Sequence, residues 1–178
     1  MIAEIIAVGS EMLTPYRQDT NSLFLTKQLN DLGVIVAFKT VVGDNFDHLT
    51  GVARAAIGRS DIIIVTGGLG PTEDDLTREC MAAALGVELK RDHAIVTAMY
   101  KRFAERRISM PPNNAKQADV IEDAIVLPNA RGTAPGQYLE TEVNGEQRII
   151  ILLPGPPHEL EALWKQDDNS LLPIHFNL

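Results

Sequence analysis

A chain of 178 residues with 45% hydrophobic and 22% charged side chains has ordinary globular composition, which excludes intrinsic disorder. It is long enough for one domain that buries a core without a disulfide or structural metal. Its 24 acidic and 16 basic residues give a formal net charge of −8, which argues against a general binder of nucleic acid or acidic membrane. A small phosphorylated ligand in a local pocket stays open. The single cysteine, Cys80, excludes an internal disulfide and sits in the apolar run 80–85, where a small buried core residue is the simplest reading. The first eight residues lack a basic n-region and read as a strand, not a signal peptide. No apolar run approaches the roughly 20 residues of a membrane span. A soluble cytoplasmic protein is expected.

Along the chain, short apolar strands alternate with helical stretches. Ile5–Val8 is an aliphatic run ending at Gly9, as in a strand buried on both faces. A helix follows through Leu23–Leu32, with Asp19 or Thr20 as cap and Gly33 as stop. Val34–Val42 reads as a second strand, and Phe46–Ile57 as a helix capped by Asp44 or Asn45 and closed by Gly58. Ile62–Thr66 is the purest buried strand and runs into Gly67-Gly68-Leu69-Gly70-Pro71. A helix is expected from about Asp75 to Leu85, and another over about Asp92–Arg106. Met110–Ala118 reads as a loop leading to a short helix. Gln137–Val143 and Gln147–Leu153, joined by Asn144-Gly145, form a hairpin signal, because Asn-Gly suits the positive-φ positions of a type I′ turn. Pro157–Gln166 can begin a last helix, with Leu160, Leu163 and Trp164 as core residues. Strand–helix alternation requires crossovers. The expected fold is therefore α/β, with helices on both faces of a mostly parallel sheet plus an antiparallel hairpin. Residues 1–166 form the domain and 167–178 a tail or linker.

Ligands of open α/β sheets bind beyond the carboxyl ends of the strands, so the loops there are the first place to look for chemistry. The segment Thr66–Thr77 brings glycines that allow close backbone approach, helix N–H groups that suit phosphate, and the acids Glu73, Asp74 and Asp75. Adjacent carboxylates beside such a loop suit a hard cation bridging phosphate oxygens; a tight turn with helix-favouring acids is the plainer alternative. Gly9-Ser10-Glu11 and Asp19-Thr20-Asn21-Ser22 follow the first strand, and Gly43-Asp44-Asn45 the second. Asp19, Thr20, Ser22 and Asp44 serve equally well as helix caps. Lys116, in Asn113–Ala118, offers a local positive charge or is a solvated loop lysine. Two further Gly/Pro segments, Asn129–Gly136 and Leu153–Glu159, are more than a minimal fold needs. His48, His93, His158 and His175 are scattered without metal-ligand spacing, and Ser10 has no evident triad.

These segments together resemble the N-terminal domain of the competence/damage-inducible protein A (CinA) family. The resemblance rests on Gly9–Leu13, Asp19–Ser22, Thr66–Thr77, Asn113–Ala118, Gly132–Gly136 and Leu153–Glu159, and so covers nearly the whole chain. The glycine–aspartate segment alone would indicate only the wider molybdopterin-binding, MoaB/MogA-like superfamily. The resemblance implies a three-layer α/β/α fold, a homo-oligomer, and an ADP-ribose pyrophosphatase activity that yields AMP and ribose 5-phosphate. It also implies a divalent metal such as magnesium, with potassium as a further option. Family members often carry a C-terminal domain that deamidates nicotinamide mononucleotide; this chain stops before it, so that activity is not assigned. The carry-over places functional carboxylates at Asp75 and Asp44, with Asp74, Asp19 and Glu11 in matching motifs. Pro15 stands where the family usually has glycine, which reshapes the first loop.

The expected mechanism is metal-assisted hydrolysis of a nucleoside diphosphate sugar. Asp75 and Asp44 are the expected metal ligands, and Asp74 joins them as a candidate catalytic residue. Backbone N–H groups of Gly68, Gly70 and Thr72 would hold phosphate oxygens. Ser10, Glu11, Asp19, Asn21, Gly67, Pro71, Gly132 and Gly155 complete the expected substrate contacts, with Asn114, Lys116 and Thr133 positioning the substrate. The alternatives are a pterin-binding or adenylyl-transferring protein of molybdenum-cofactor synthesis, or a non-catalytic nucleotide-binding module.

Overall fold

The computed structural model describes residues 1–165. The proposed domain end at residue 166, the tail 167–178 and His175 lie outside the described residues.

The strands and helices alternate as expected. In order they are β1 (Ile2–Val8), α1 (Thr20–Asp31), β2 (Ile35–Val42), α2 (Phe46–Ile57), β3 (Ile62–Thr66), α3 (Thr77–Leu85), β4 (Leu89–Arg91) and α4 (His93–Glu105). Then come β5 (Asp119–Ile121), β6 (Ile125–Leu127), β7 (Gly136–Val143), β8 (Glu146–Leu153) and α5 (Pro157–Trp164). Short 3₁₀ turns cover Ser10–Leu13 and Pro112–Ala118.

The main sheet has the order β2-β1-β3-β8-β7-β6. β2, β1, β3 and β8 run parallel, while β7 is antiparallel to both β8 and β6. All five residues of β3 are buried, because this central strand is covered on both faces. One face packs Ile6, Ile63 and Leu152 against Leu49 and Ala53 of α2 and Met81 of α3. The other packs Ile5, Ile64 and Ile151 against Leu25 and Leu29 of α1 and Leu160 and Leu163 of α5. This is the expected three-layer α/β/α arrangement. Cys80 is fully buried in the first of these cores.

The Asn144-Gly145 hairpin forms as read, with φ of 55° and 80° at its two turn residues. Three short strands were not anticipated: β4 and β5 pair as a separate two-stranded ribbon, and β6 adds an edge to the main sheet. At three residues each they show too little alternation to register as strands. The helix expected from Asp75 begins two residues later, at Thr77, because the Asp75 carboxylate turns back to Thr72 instead. Asn45, not Asp44, caps α2, and Asp19, not Thr20, caps α1.

The amino-terminal half of the sheet buries charged side chains, Glu4 among them. Glu4 of β1 is 0% exposed and accepts hydrogen bonds from Arg59 Nε at 2.9 Å and Nη2 at 2.8 Å, and from Thr40 Oγ1 at 3.0 Å. The Arg59 guanidinium also lies 3.8 Å from the centroid of the Phe38 ring. Removing Arg59 would leave a buried carboxylate without its charged partner. R59M is expected to lower stability, read as a lower urea midpoint at unchanged slope.

Candidate functional site

Because β1, β2, β3 and β8 are parallel, their carboxyl ends share one edge, and the loops after Val8, Val42, Thr66 and Leu153 meet there. A cleft of about 640 Å³ opens among them. Its floor is the glycine segment. Gly67 and Gly68 have φ of 92° and 65°, conformations that side chains resist, and neither has room for one. A Cβ on Gly67 would strike the Val8 carbonyl, and one on Gly68 would strike the Thr77 hydroxyl.

Five carboxylates line the cleft: Glu11, Asp44, Asp74, Asp75 and Glu159. Arg17 is the one basic side chain among the lining residues. Asp75 is half-buried, and its Oδ2 accepts from Thr72 N–H at 2.9 Å and Thr72 Oγ1 at 2.6 Å. Asp44 and Ser10 bond reciprocally: Ser10 N–H donates to Asp44 Oδ2 at 2.7 Å, and Asp44 N–H donates to Ser10 Oγ at 3.0 Å. This pair ties the loop after β1 to the loop after β2. Asp74 is exposed on the cleft wall.

Of the expected contact residues, Glu11, Asn21, Gly67, Gly68, Gly70, Thr72, Thr133 and Gly155 line the cleft. Asn21 Nδ2 donates to the Gly155 carbonyl at 2.8 Å, holding the start of α1 against the loop after β8. The rest serve as supports. Asp19 caps α1 through Ser22, and Ser10 is committed to Asp44. Asn114 is buried and donates to Gln117 Oε1 at 3.1 Å. Lys116 Nζ reaches the Thr72 carbonyl at 2.9 Å and Glu79 at 3.2 Å, so its charge sits behind the glycine segment instead of on its open side. Pro71 offers its carbonyl to Asn113 at 3.4 Å, and Gly132 packs against Glu159 and Asn129. The Thr72 N–H is already taken by Asp75 and is not free for a phosphate.

Sequence reasoning passed over Arg17 and Gln18, and gave no ligand role to Thr20, Gln117 and Glu159 within the segments it singled out; all five line the cleft. Arg102 of α4 donates to the carbonyls of Asn129, Ala130 and Gly132. Asn129 Nδ2 donates to Ala134 O at 2.9 Å and Glu159 Oε2 at 2.6 Å, and together these bonds fix the loop that carries Thr133. Arg78 is 0% exposed beneath the glycine segment. Burial pushes its guanidinium pKa down, opposed by the charges of Glu79, Asp119 and Asp75. Its sequence signal was present: Arg78 heads the apolar stripe Met81, Ala82, Leu85 on α3, where a solvated arginine does not belong.

Among the described residues no cluster of three or more His, Cys, Asp and Glu side chains is arranged to hold a metal alone. Magnesium-type ions take one or two carboxylates plus phosphate oxygens. Asp75 and Asp44, each with Oδ1 free of hydrogen bonds among the described residues, therefore fit an ion shared with a phosphorylated ligand.

Comparison with known proteins agrees with this architecture. The model of a probable molybdopterin-binding domain matches residues 4–167. A CinA-like protein of Koribacter versatilis is 61% identical over 93% of this chain. The chain belongs to the CinA-like branch of the molybdopterin-binding domain family. A second CinA-like protein, from Acidobacterium capsulatum, is 60% identical over 97% of the chain. The chain spans 40% and 42% of the lengths of these two CinA-like relatives. A crystal structure of CinA from Thermoplasma acidophilum, described as of unknown function, superposes with a TM-score of 0.84 at 33% identity, covering 96% of this chain and 98% of that one. The tungsten cofactor synthesizing protein MoaB of Pyrococcus furiosus shares the fold, with a TM-score of 0.63 at 15% identity over 97% of this chain and 93% of its own. No helix among the described residues is long and apolar enough to cross a membrane.

Two outcomes test this geometry. G68A is expected to cost about 3 kcal/mol through positive-φ strain and overpacking against Thr77, measured by urea denaturation. Burial pushes the Cys80 thiol pKa up, so the group stays protonated at mildly alkaline pH. A disulfide reagent should leave Cys80 unmodified in the native protein and label it only after denaturation.

Proposed function

We propose that the cleft hydrolyses the diphosphate of a nucleoside diphosphate sugar of the ADP-ribose type, with a divalent cation, releasing AMP and ribose 5-phosphate. The observation that carries this reading is the charge of the cleft: five carboxylates and one arginine around a floor of glycine backbone. A bare diphosphate entering those walls would be repelled, whereas one carrying a hard cation would be drawn in. The resemblance to CinA-like proteins supports the choice of substrate.

Asp75 and Asp44 are the residues that would hold the ion. When bound, it neutralises phosphate charge and lowers the pKa of water. The remaining work falls to the chain itself. The N–H groups of Gly68 and Gly70 hold phosphate oxygens from the floor. Asp75, braced by Thr72, keeps its carboxylate oriented without rearrangement. Asn21, fixed by Gly155, and Thr133, on the loop fixed by Arg102, mark the side of the cleft that positions the sugar and base. Asp74, with no hydrogen bond to its carboxylate among the described residues, accepts the proton of the attacking water. Small nucleotides are the ligands of this reading; acidic walls repel nucleic acid and anionic membranes.

A second reading has its own support. The family model is described as a probable molybdopterin-binding domain, and a phosphorylated pterin would use the same glycine floor. Incubation with ADP-ribose and magnesium separates the two. Release of AMP supports hydrolysis, while AMP transfer from ATP to a pterin substrate, without ADP-ribose cleavage, replaces it. D75N should fold normally, because the Asn carbonyl can still accept from Thr72, and should lose turnover by about 10²-fold. Chelation by EDTA should abolish AMP release and added magnesium restore it. A D75N protein with wild-type turnover would overturn the assignment.

A further inference from the structure

Every carbonyl from Gly67 to Thr72 accepts a hydrogen bond. Gly67 O takes the Thr77 hydroxyl at 2.7 Å and Gly68 O takes the Thr77 N–H at 3.2 Å. Leu69 O and Gly70 O take the two terminal nitrogens of Arg78, at 2.8 Å and 3.0 Å. Pro71 O takes Asn113 Nδ2 at 3.4 Å, and Thr72 O takes Lys116 Nζ at 2.9 Å. All these donors sit on α3 or on the 3₁₀ turn Pro112–Ala118.

A planar trans peptide opposes its N–H to its C=O, and no peptide among the described residues is cis. Drawing these carbonyls toward α3 and the 3₁₀ turn therefore aims the N–H groups of Gly68, Leu69 and Gly70 the other way. Those three N–H groups donate to no acceptor among the described residues. Arg78 holds the centre of this arrangement. It is fully buried, forms no salt bridge among the described residues, and leaves its Nε without a partner. A guanidinium in that setting is costly to bury, and the two carbonyls are the acceptors its terminal nitrogens reach. A lysine could not replace it, because one ammonium lacks the planar fork that spans two successive carbonyls.

We propose that Arg78 is a positioning residue that fixes the Gly67–Thr72 backbone so that the Gly68, Leu69 and Gly70 amides form a site for the oxygens of a diphosphate. The inference rests on the reading that the cleft takes a diphosphate, and it adds the residue that shapes the floor without touching the ligand. Acting through the Leu69 and Gly70 carbonyls it holds, and not by touching the ligand, Arg78 sets affinity for the phosphate group while Asp75 and Asp44 retain their places.

The test is a titration of the full chain with inorganic pyrophosphate and magnesium, followed by backbone amide NMR. In the wild type, the Gly68, Leu69 and Gly70 amide signals should shift. In R78M the pyrophosphate affinity should fall by about tenfold or more, with signals outside the loop and α3 unmoved. R78K, which keeps the charge and loses the fork, should fold and still bind several-fold more weakly; it decides the matter if R78M does not fold. Wild-type affinity in R78K and R78M, or wild-type amides that ignore pyrophosphate, would overturn the inference. Arg78-dependent binding of pyrophosphate without cleavage of ADP-ribose would instead overturn the hydrolase reading and leave this one standing.

Discussion

Parallel pairing of β2, β1, β3 and β8 is the constraint from which the rest of the molecule follows. Parallel strands need helical crossovers, and crossovers on both faces bury the central strand completely. The same directionality delivers four strand ends to one edge. Glycines at Gly67 and Gly68 let the backbone turn at that edge without side chains filling the space. The cleft is thus a consequence of topology, and its chemistry depends on what the loops carry.

What they carry is mostly support. The reciprocal Ser10–Asp44 pair, the Asn21–Gly155 bond and the Arg102 contacts to the 129–132 carbonyls tie neighbouring loops together before any ligand arrives. A site preorganised this way does not reorder its dipoles when charge develops in it. The carboxylates that remain accessible, those of Glu11 and Asp74 and the outer oxygens of Asp75 and Asp44, stand on the loops at this edge.

The sequence made the frame readable because its signals were local. Ile62–Thr66 announces a strand buried on both faces, and Asn144-Gly145 announces its hairpin. The glycine segment identified the cleft floor, and both Asp75 and Asp44 reached it. Support and contact were harder to tell apart. Lys116 read as a local positive charge for phosphate or as a solvated lysine, and is neither at rest: its hydrogen bond to Thr72 crosses 44 positions of sequence, and no local pattern encodes it. Asn114 likewise turned inward to Gln117. Asp75 looked like a helix-start residue until its bond to Thr72 placed it in a turn. Arg102, an ordinary charged position on a helix, gained its role from carbonyls on a distant loop, whereas Arg78, set on an apolar stripe, reaches carbonyls eight and nine positions back.

At the other end of the sheet, the Glu4–Arg59 pair bears on solubility. β2 is an edge strand, and Ile35, Phe38 and Val41 on it are exposed. An apolar strand with one open row of backbone donors and acceptors is a template for pairing with another chain. Arg59 lies over the Phe38 ring, and Lys39 beside it adds a second charge to the edge. One guanidinium therefore both neutralises a buried acid and shields a sticky ring, so that a lesion at this position would show itself as self-association of still-folded molecules as well as lost stability.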